Sequence, residues 1–236
     1  MATLVAVDVA SGWVECIALR GHTEHQVVSG LDQLRRCLPF PLRGLHSDNG
    51  GEFLNRPVWK YCRGKEIAFT RGRPYKKNDQ AHVEQKNWQL TPALALRASA
   101  RASVRRIVGY DRLKGEKAWE VLQALYVHLR LYANFFQPIR KLTAKERNGA
   151  KVRKQFDVAQ TPYQRLLKAK VLEPPQQQTL AALYRRLNPL QLLEEIDGLV
   201  EQLHRLGVVD PGTAQLLAKK DRAREQVTHR EVRVAG

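Results

Sequence analysis

Cysteine is scarce. Cys16, Cys37 and Cys62 are the only three in 236 residues, an odd number, widely spaced and without a Cys-x-x-Cys pair. That excludes a disulfide framework and a zinc site of ordinary spacing, so each is expected to be a buried, reduced small hydrophobe. Long apolar runs are missing as well. No stretch approaches the roughly 20 residues needed to span a bilayer, and the first residues lack the charged region and apolar core of a secretion signal. The expectation is a cytoplasmic protein with no membrane partner. Zinc-finger spacing, a phosphate-loop glycine pattern, a Ser-His-Asp set and an internal repeat are also absent. Acidic residues are in deficit, with 23 Asp and Glu against 40 Lys and Arg and a formal charge of +17. Such an imbalance points to a polyanionic partner, because each phosphate that a cation neutralises releases condensed counterions.

What is present suffices for a core, since 43% of the residues are apolar. Residues 3–10 form a β-branched run that ends in the turn signal Ser11-Gly12, and Trp13 to Leu19 is a second strand candidate, so the two read as a hairpin. Thr23 is placed to cap a helix from Glu24 to Cys37, with Val27, Val28, Leu31, Leu34 and Leu38 along one stripe and Pro39 and Pro41 beyond its end. A short strand at Leu42–His46, a helix at Arg56–Gly64 capped by Asn55, and a strand at Ile67–Thr70 follow. Next come the loop Arg71–Lys77 and a helix starting near Asn78 or Asp79. The order β-β-α-β-α-β-loop-α predicts an α/β fold, a mixed sheet covered by helices. A helix over Lys117–Phe135 carries Trp119, Leu122, Leu125, Tyr126, Leu129 and Tyr132 at core spacing. From about Gln155 a separate, mostly helical region is expected, with helices at Thr179–Asn188 and Leu190–Leu206 and breaks at Pro174, Pro175 and Pro189. The domain division is therefore 1–154 and 155–236, and the charged tail from Lys219 is expected to fray.

Two carboxylates stand out. Asp48 lies in His46-Ser47-Asp48-Asn49-Gly50-Gly51-Glu52-Phe53, at the expected end of a buried strand, where Asn49-Gly50-Gly51 lets the backbone turn sharply. His46 alternates with it on the same strand face, either as a ligand or packed beside it. Glu84 follows with 35 residues between them, on a helix whose face Gln80, Glu84, Asn87 and Trp88 is polar. Two carboxylates on rigid elements beside a cationic surface suit two-metal phosphoryl-transfer chemistry. Taken singly, each also fits an ordinary turn or a solvated helix face. Between and beside them Arg71, Arg73, Lys76, Lys77 and Lys86 form a dense basic cluster with Tyr75 interleaved, suited to forked phosphate contacts and to stacking on an unpaired base. Clusters at Arg97-Arg101-Arg105-Arg106 and Lys141-Lys145-Arg147-Lys151-Arg153-Lys154 extend the basic footprint.

The run His46–Phe53, followed by Thr70–Asn87, resembles the integrase catalytic core of insertion-sequence transposases of the retroviral-integrase type. Val108-Gly109-Tyr110-Asp111 and the stretch Leu129–Leu142 also match the pattern these transposases carry after the core, and the resemblance covers roughly residues 3–170. It implies a ribonuclease-H-like fold and an Asp-Asp-Glu triad holding two Mg²⁺ or Mn²⁺ ions, with Asp48 as the second acid and Glu84 as the third. It further implies DNA as partner (transposon ends and target), with Arg71, Arg73, Tyr75, Lys76, Lys77, Lys86 and Asn87 as contacts, and a homo-oligomer bridging two DNA ends. In a bacterium such a protein would be associated with the nucleoid. The family's first acid lies on a strand upstream of the one that Leu4–Val9 resembles. The resemblance therefore implies an N-terminally truncated core, inactive if nothing supplies that acid, and Asp8 belongs to the second strand as a structural or near-site residue. The Ala- and Arg-rich stretch 89–103, with Pro92, is a second departure from the family pattern. Two other readings stay open: a non-catalytic DNA-binding fragment of a decayed transposase, and a nuclease cutting RNA in hybrids.

Overall fold

A computed structural model describes residues 1–47, 56–72, 113–149 and 151–207, which form six strands and six helices. β1 (Ala2–Val7) and β2 (Val14–Leu19) are an antiparallel hairpin in register from Ala2↔Leu19 to Val7↔Val14. Their turn is closed by backbone bonds from Asp8 N to Trp13 O at 2.8 Å and from Gly12 N to Asp8 O at 2.7 Å. Gly12 sits at φ +76°, a conformation that side chains oppose.

The alternation of strand side chains sorts the hairpin onto two faces. Leu4, Ile17 and Leu19 meet α1 (Glu24–Cys37) through Val27, Leu31 and Leu34. Gly30 allows this close approach, because a Cβ there would stand 2.7 Å from the Leu19 Cδ2 atom. Thr23 is the N-cap residue as expected, but its side chain makes no capping bond. Val14, Cys16 and Ala18 face the other way, onto Ala118, Leu122, Leu125, Tyr126, Leu129 and Ala133 of α3 (Glu116–Phe135). β2 is consequently buried along its whole length.

β3 (Gly44–Ser47) and β4 (Ala68–Arg71) pair in parallel through the crossover helix α2 (Arg56–Gly64). Val58, Cys62 and Ile67 of this unit join the α1 cluster. The expected α/β class with parallel and antiparallel pairing is what the chain forms, although the two pairs are separate ladders among the described residues. The helix expected from Asn78 or Asp79 lies outside them.

After α3 the chain departs from the sequence reading. Two strands, β5 (Leu142–Asn148) and β6 (Lys151–Phe156), pair as an antiparallel ribbon, where the sequence shows only a basic cluster. Helices α4 (Pro162–Ala169), α5 (Pro174–Arg186) and α6 (Pro189–Leu206) follow. Pro174, Pro175 and Pro189 do not break helices; they begin them, as a residue without an amide N–H does at no cost in the first turn. Ile196 and Leu203 of α6 complete the α3 cluster. Trp13, Phe135, Tyr163, Leu166, Leu172 and Leu180 form a third cluster, in which Trp13 meets Phe135 edge-on at 5.6 Å. Of the cysteines, Cys16 and Cys62 are buried as expected and Cys37 only half-buried. Burial beside Glu15 pushes the Cys16 thiol up to about 12, so it stays protonated.

Polar side chains of α3 also occupy the backbone of β2. Asn134 accepts from Val14 N and donates to Val14 O, both at 2.8 Å. Gln123 accepts from Ala18 N at 3.1 Å, and the Trp119 indole donates to Ala18 O at 3.0 Å. Asn134→Leu should therefore destabilise the chain by about 2–4 kcal/mol in a denaturant melt, because two buried backbone groups lose their partners.

Glu15, with a fully buried side chain, is held by Arg130 at 3.1 Å and by the Trp13 indole at 2.9 Å. Burial raises its pKa above 4.5, and Arg130 opposes the rise. Arg130→Ala should cost about 3–5 kcal/mol at neutral pH, since it strands a buried charge. It should also raise the Glu15 pKa further. The folded state then binds the extra proton across the window above 4.5, so the variant's deficit should shrink as pH falls towards 5. Melts at pH 8 and pH 5 check the sign.

Candidate nucleic-acid interface and carboxylate site

β3 and β4 run side by side and end together, so the chain leaves both strands at one edge of the unit. Ser47 is buried, directly precedes Asp48 in the sequence, and pairs in register with Arg71. Gly72 N donates to Ser47 O at 2.8 Å, extending the ladder by one bond. The carboxyl ends of parallel strands are where open α/β sheets expose functional groups. Arg71 is exposed there, its guanidinium 5.8 Å from the centre of the Phe69 ring. Asp48, Arg73, Tyr75, Lys76, Lys77, Glu84, Lys86 and Asn87 lie outside the described residues. Of the two carboxylates and the basic cluster between and beside them, Arg71 alone is among the described residues.

His46 is exposed on β3, and its Nδ1 atom shares a 2.9 Å hydrogen bond with the Thr70 hydroxyl across the ladder. Asp8 has its own local task. Its Oδ2 accepts from both the amide and the hydroxyl of Ser11 at 2.6 Å, so this carboxylate braces the hairpin turn. No group of three or more His, Cys, Asp and Glu side chains is poised to hold a metal among the described residues.

A second basic element is built from the ribbon and its foot. Asp157 accepts from the Lys141 amide at 2.6 Å and from the Arg165 guanidinium at 2.7 and 3.0 Å. Arg165 also donates to Ile139 O at 2.8 Å. The Lys141 ammonium donates to the carbonyls of Val9 and Ala10. The ribbon's foot is thus tied to α4 on one side and to the β1–β2 turn on the other. Partial burial and the nearby Arg165 lower the Lys141 pKa, while Asp8 and Asp157 oppose that. Sequence spacing gives no sign of this clamp, since Lys141 and the turn are more than a hundred residues apart.

Residues 1–77 match the family model described as integrase core domain. The uncharacterized protein y4rM of Sinorhizobium fredii is 44% identical over 154 residues, which are 65% of this chain and 40% of that protein. The chain therefore spans well under half of that relative's length. Among solved structures, the catalytic core domain of BIV integrase is 25% identical over 71% of this chain and 86% of its own, at a TM-score of 0.42. A simian T-cell lymphotropic virus intasome chain is 20% identical over 58% of this chain and 43% of its own, also at 0.42. No described helix is long and apolar enough to cross a membrane.

The Arg165 and Lys141 bonds hold the Asp157 carboxyl down to about 2. A lowered carboxylate stabilises the fold above its ordinary value, and that contribution is lost as pH falls through the lowered one. The ribbon's foot should therefore stay closed at pH 4 and open near pH 2, whereas Asp157→Asn should loosen it at neutral pH. Faster amide exchange at Lys141, Ile139 and Gln160, with the hairpin amides of β2 unchanged, is the expected readout.

Proposed function

We propose that the chain carries an integrase-type core and acts in DNA integration or transposition, by metal-dependent DNA strand transfer. The match to the integrase core domain over residues 1–77 supports this, because the matched segment includes both Asp48 and the basic loop that starts at Arg71. The charge of +17 fits a DNA partner. In this reading Asp48 and Glu84 are the carboxylates that would hold Mg²⁺ or Mn²⁺. When bound, such ions supply activation of a water or 3′-hydroxyl and stabilisation of the leaving oxygen. Arg71, Arg73, Lys76, Lys77 and Lys86 would neutralise and orient the phosphate backbone, with Asn87 as a polar contact and Tyr75 stacking on an unpaired base. The working form would be a homo-oligomer joining two DNA ends. Residues 1–154 would hold the catalytic core and 155–236 a helical addition to it.

A second reading is a DNA-binding protein without turnover. The commitment of Asp8 to Ser11 bears on it, because this carboxylate is already engaged within its own turn and is a poor candidate for a third metal ligand.

A Mn²⁺-dependent strand-transfer assay separates the two. Asp48→Asn and Glu84→Gln should each lower the rate by about a hundredfold or more, the equivalent of the several kcal/mol that a bound metal contributes. Retention of the parent rate by either variant would remove that residue from the site. Activity seen only when additional upstream sequence is supplied would place a further metal-holding acid there. Duplex binding without strand transfer in any form would favour the second reading.

A further inference from the structure

The ribbon β5–β6 is exposed on both faces wherever its side chains are described, apart from half-buried Ala144. A two-stranded ribbon with no layer packed on it is at best marginally stable in water. This one is held at its foot by the Asp157–Arg165 pair and the Lys141 bonds, so it projects in a fixed direction from the core. Its register decides what each face carries. Lys145 opposes Lys154, Arg147 opposes Val152, and after the irregularity between Leu142 and Ala144, Leu142 opposes Phe156. These six side chains share one face, because strand neighbours alternate. That face is cationic and apolar, with no acid; the sole acidic side chain of the two strands, Glu146, stands opposite Arg153 on the other face. Phe156 is 51% exposed and Val152 44%. Like charges directly opposite each other destabilise a ladder, so a polyanion laid on this face would relieve the repulsion between Lys145 and Lys154.

We propose that this ribbon is a DNA-binding element that lays its Lys145, Arg147 and Lys154 face on duplex DNA, beyond the site at the end of β3 and β4. The proposal rests on the DNA-acting reading above. A two-stranded ribbon is of a width that the major groove of B-DNA admits, about 12 Å. The seven residues of β5 extend over roughly 24 Å, enough to bring successive cations to several phosphates. Val152, Leu142 and Phe156 supply apolar contact of the kind that thymine methyl groups or sugars accept. The clamp at the foot fixes the ribbon's direction relative to the β1–β2 turn, which makes it a ruler between the core and the bound duplex.

The test is binding of a fluorescein-labelled DNA duplex by the whole chain, followed by anisotropy across a range of salt. The ribbon variant Lys145→Gln/Arg147→Gln/Lys154→Gln is compared with Lys168→Gln/Lys170→Gln/Arg186→Gln, which removes the same charge from exposed positions on α4, its cap and α5. The slope of log affinity against log salt should fall by about 0.9 for each phosphate that is no longer neutralised. The ribbon variant's slope should therefore drop by about 2 to 3 units, and the control's by much less. Melting curves show that each variant is folded. In the parent, DNA should slow amide exchange within 142–148 and 151–156, a measurement that needs no variant. Equal drops in the two variants would reduce the effect to net charge and overturn the ribbon. A parent that binds DNA while the ribbon variant matches it would overturn the ribbon and leave the DNA reading standing. A parent that does not bind duplex at all would overturn both. Loss of self-association or of RNA binding in the ribbon variant, with duplex binding intact, would overturn the ribbon's role on DNA and assign the face to that other partner.

Discussion

Strand β2 is the constraint on which the rest depends. It is buried on both faces, and a strand so placed still has a row of backbone donors and acceptors along the edge that faces away from its hairpin partner. Unpaired, those groups would each cost about 1–3 kcal/mol and would invite pairing with another chain. Helix α3 answers both problems with one stripe. Trp119, Gln123, Arg130 and Asn134 recur at intervals that keep them on a single side of the helix. Three of them hydrogen-bond the backbone of Val14 and Ala18, and the fourth pairs with Glu15. The helix therefore covers an edge as well as a face.

That arrangement sets the positions of the other layers. With α3 fixed along β2, its adjoining apolar stripe receives Ile196 and Leu203 from α6, and Phe135 at its end is placed against Trp13, Tyr163 and Tyr184. The opposite face of the same hairpin is left for α1, and α1 in turn carries the β3–α2–β4 unit on a shared cluster. The ends of β3 and β4, where Ser47 and Arg71 stand side by side, are thus oriented by packing that begins at β2.

The two basic regions differ in how they are supported. Arg71 sits at the end of a parallel pair that belongs to the core, a rigid base of the kind that positions a reacting group. The ribbon stands outside the core and is held by one partly buried ion pair and a lysine capping the hairpin turn. Such an attachment suits a recognition element, because it fixes direction while leaving both ribbon faces to solvent. Asp8 links the two themes. Its carboxylate closes the turn that Lys141 also clasps, so the turn serves as an anchor for the ribbon.

Much was legible in the sequence wherever apolar periodicity or turn chemistry is strong. The hairpin, the helix Glu24–Cys37, the crossover unit and the core face of α3 all follow from side-chain alternation or helical spacing with Gly, Pro and Asn punctuation. The motif around Asp48 and Glu84 carried the family resemblance, and the integrase core domain match spans residues 1–77, which include Asp48. The ribbon was not legible, because Leu142–Phe156 is dominated by charge and lacks the alternating apolar pattern that marks a half-buried strand; its pairing comes from the chain reversal at Gly149, at φ +59°. Nor were the prolines at the starts of α5 and α6, since proline reads equally as a stop or as a first turn. The edge-covering bonds of α3, the Glu15–Arg130 pair and the clamp on the turn join residues up to 132 positions apart. Local sequence determines which segments become strands and helices and which stretches attract phosphate. Only tertiary structure decides which polar side chain meets which distant backbone group, because those bonds are selected by burial once the layers have closed.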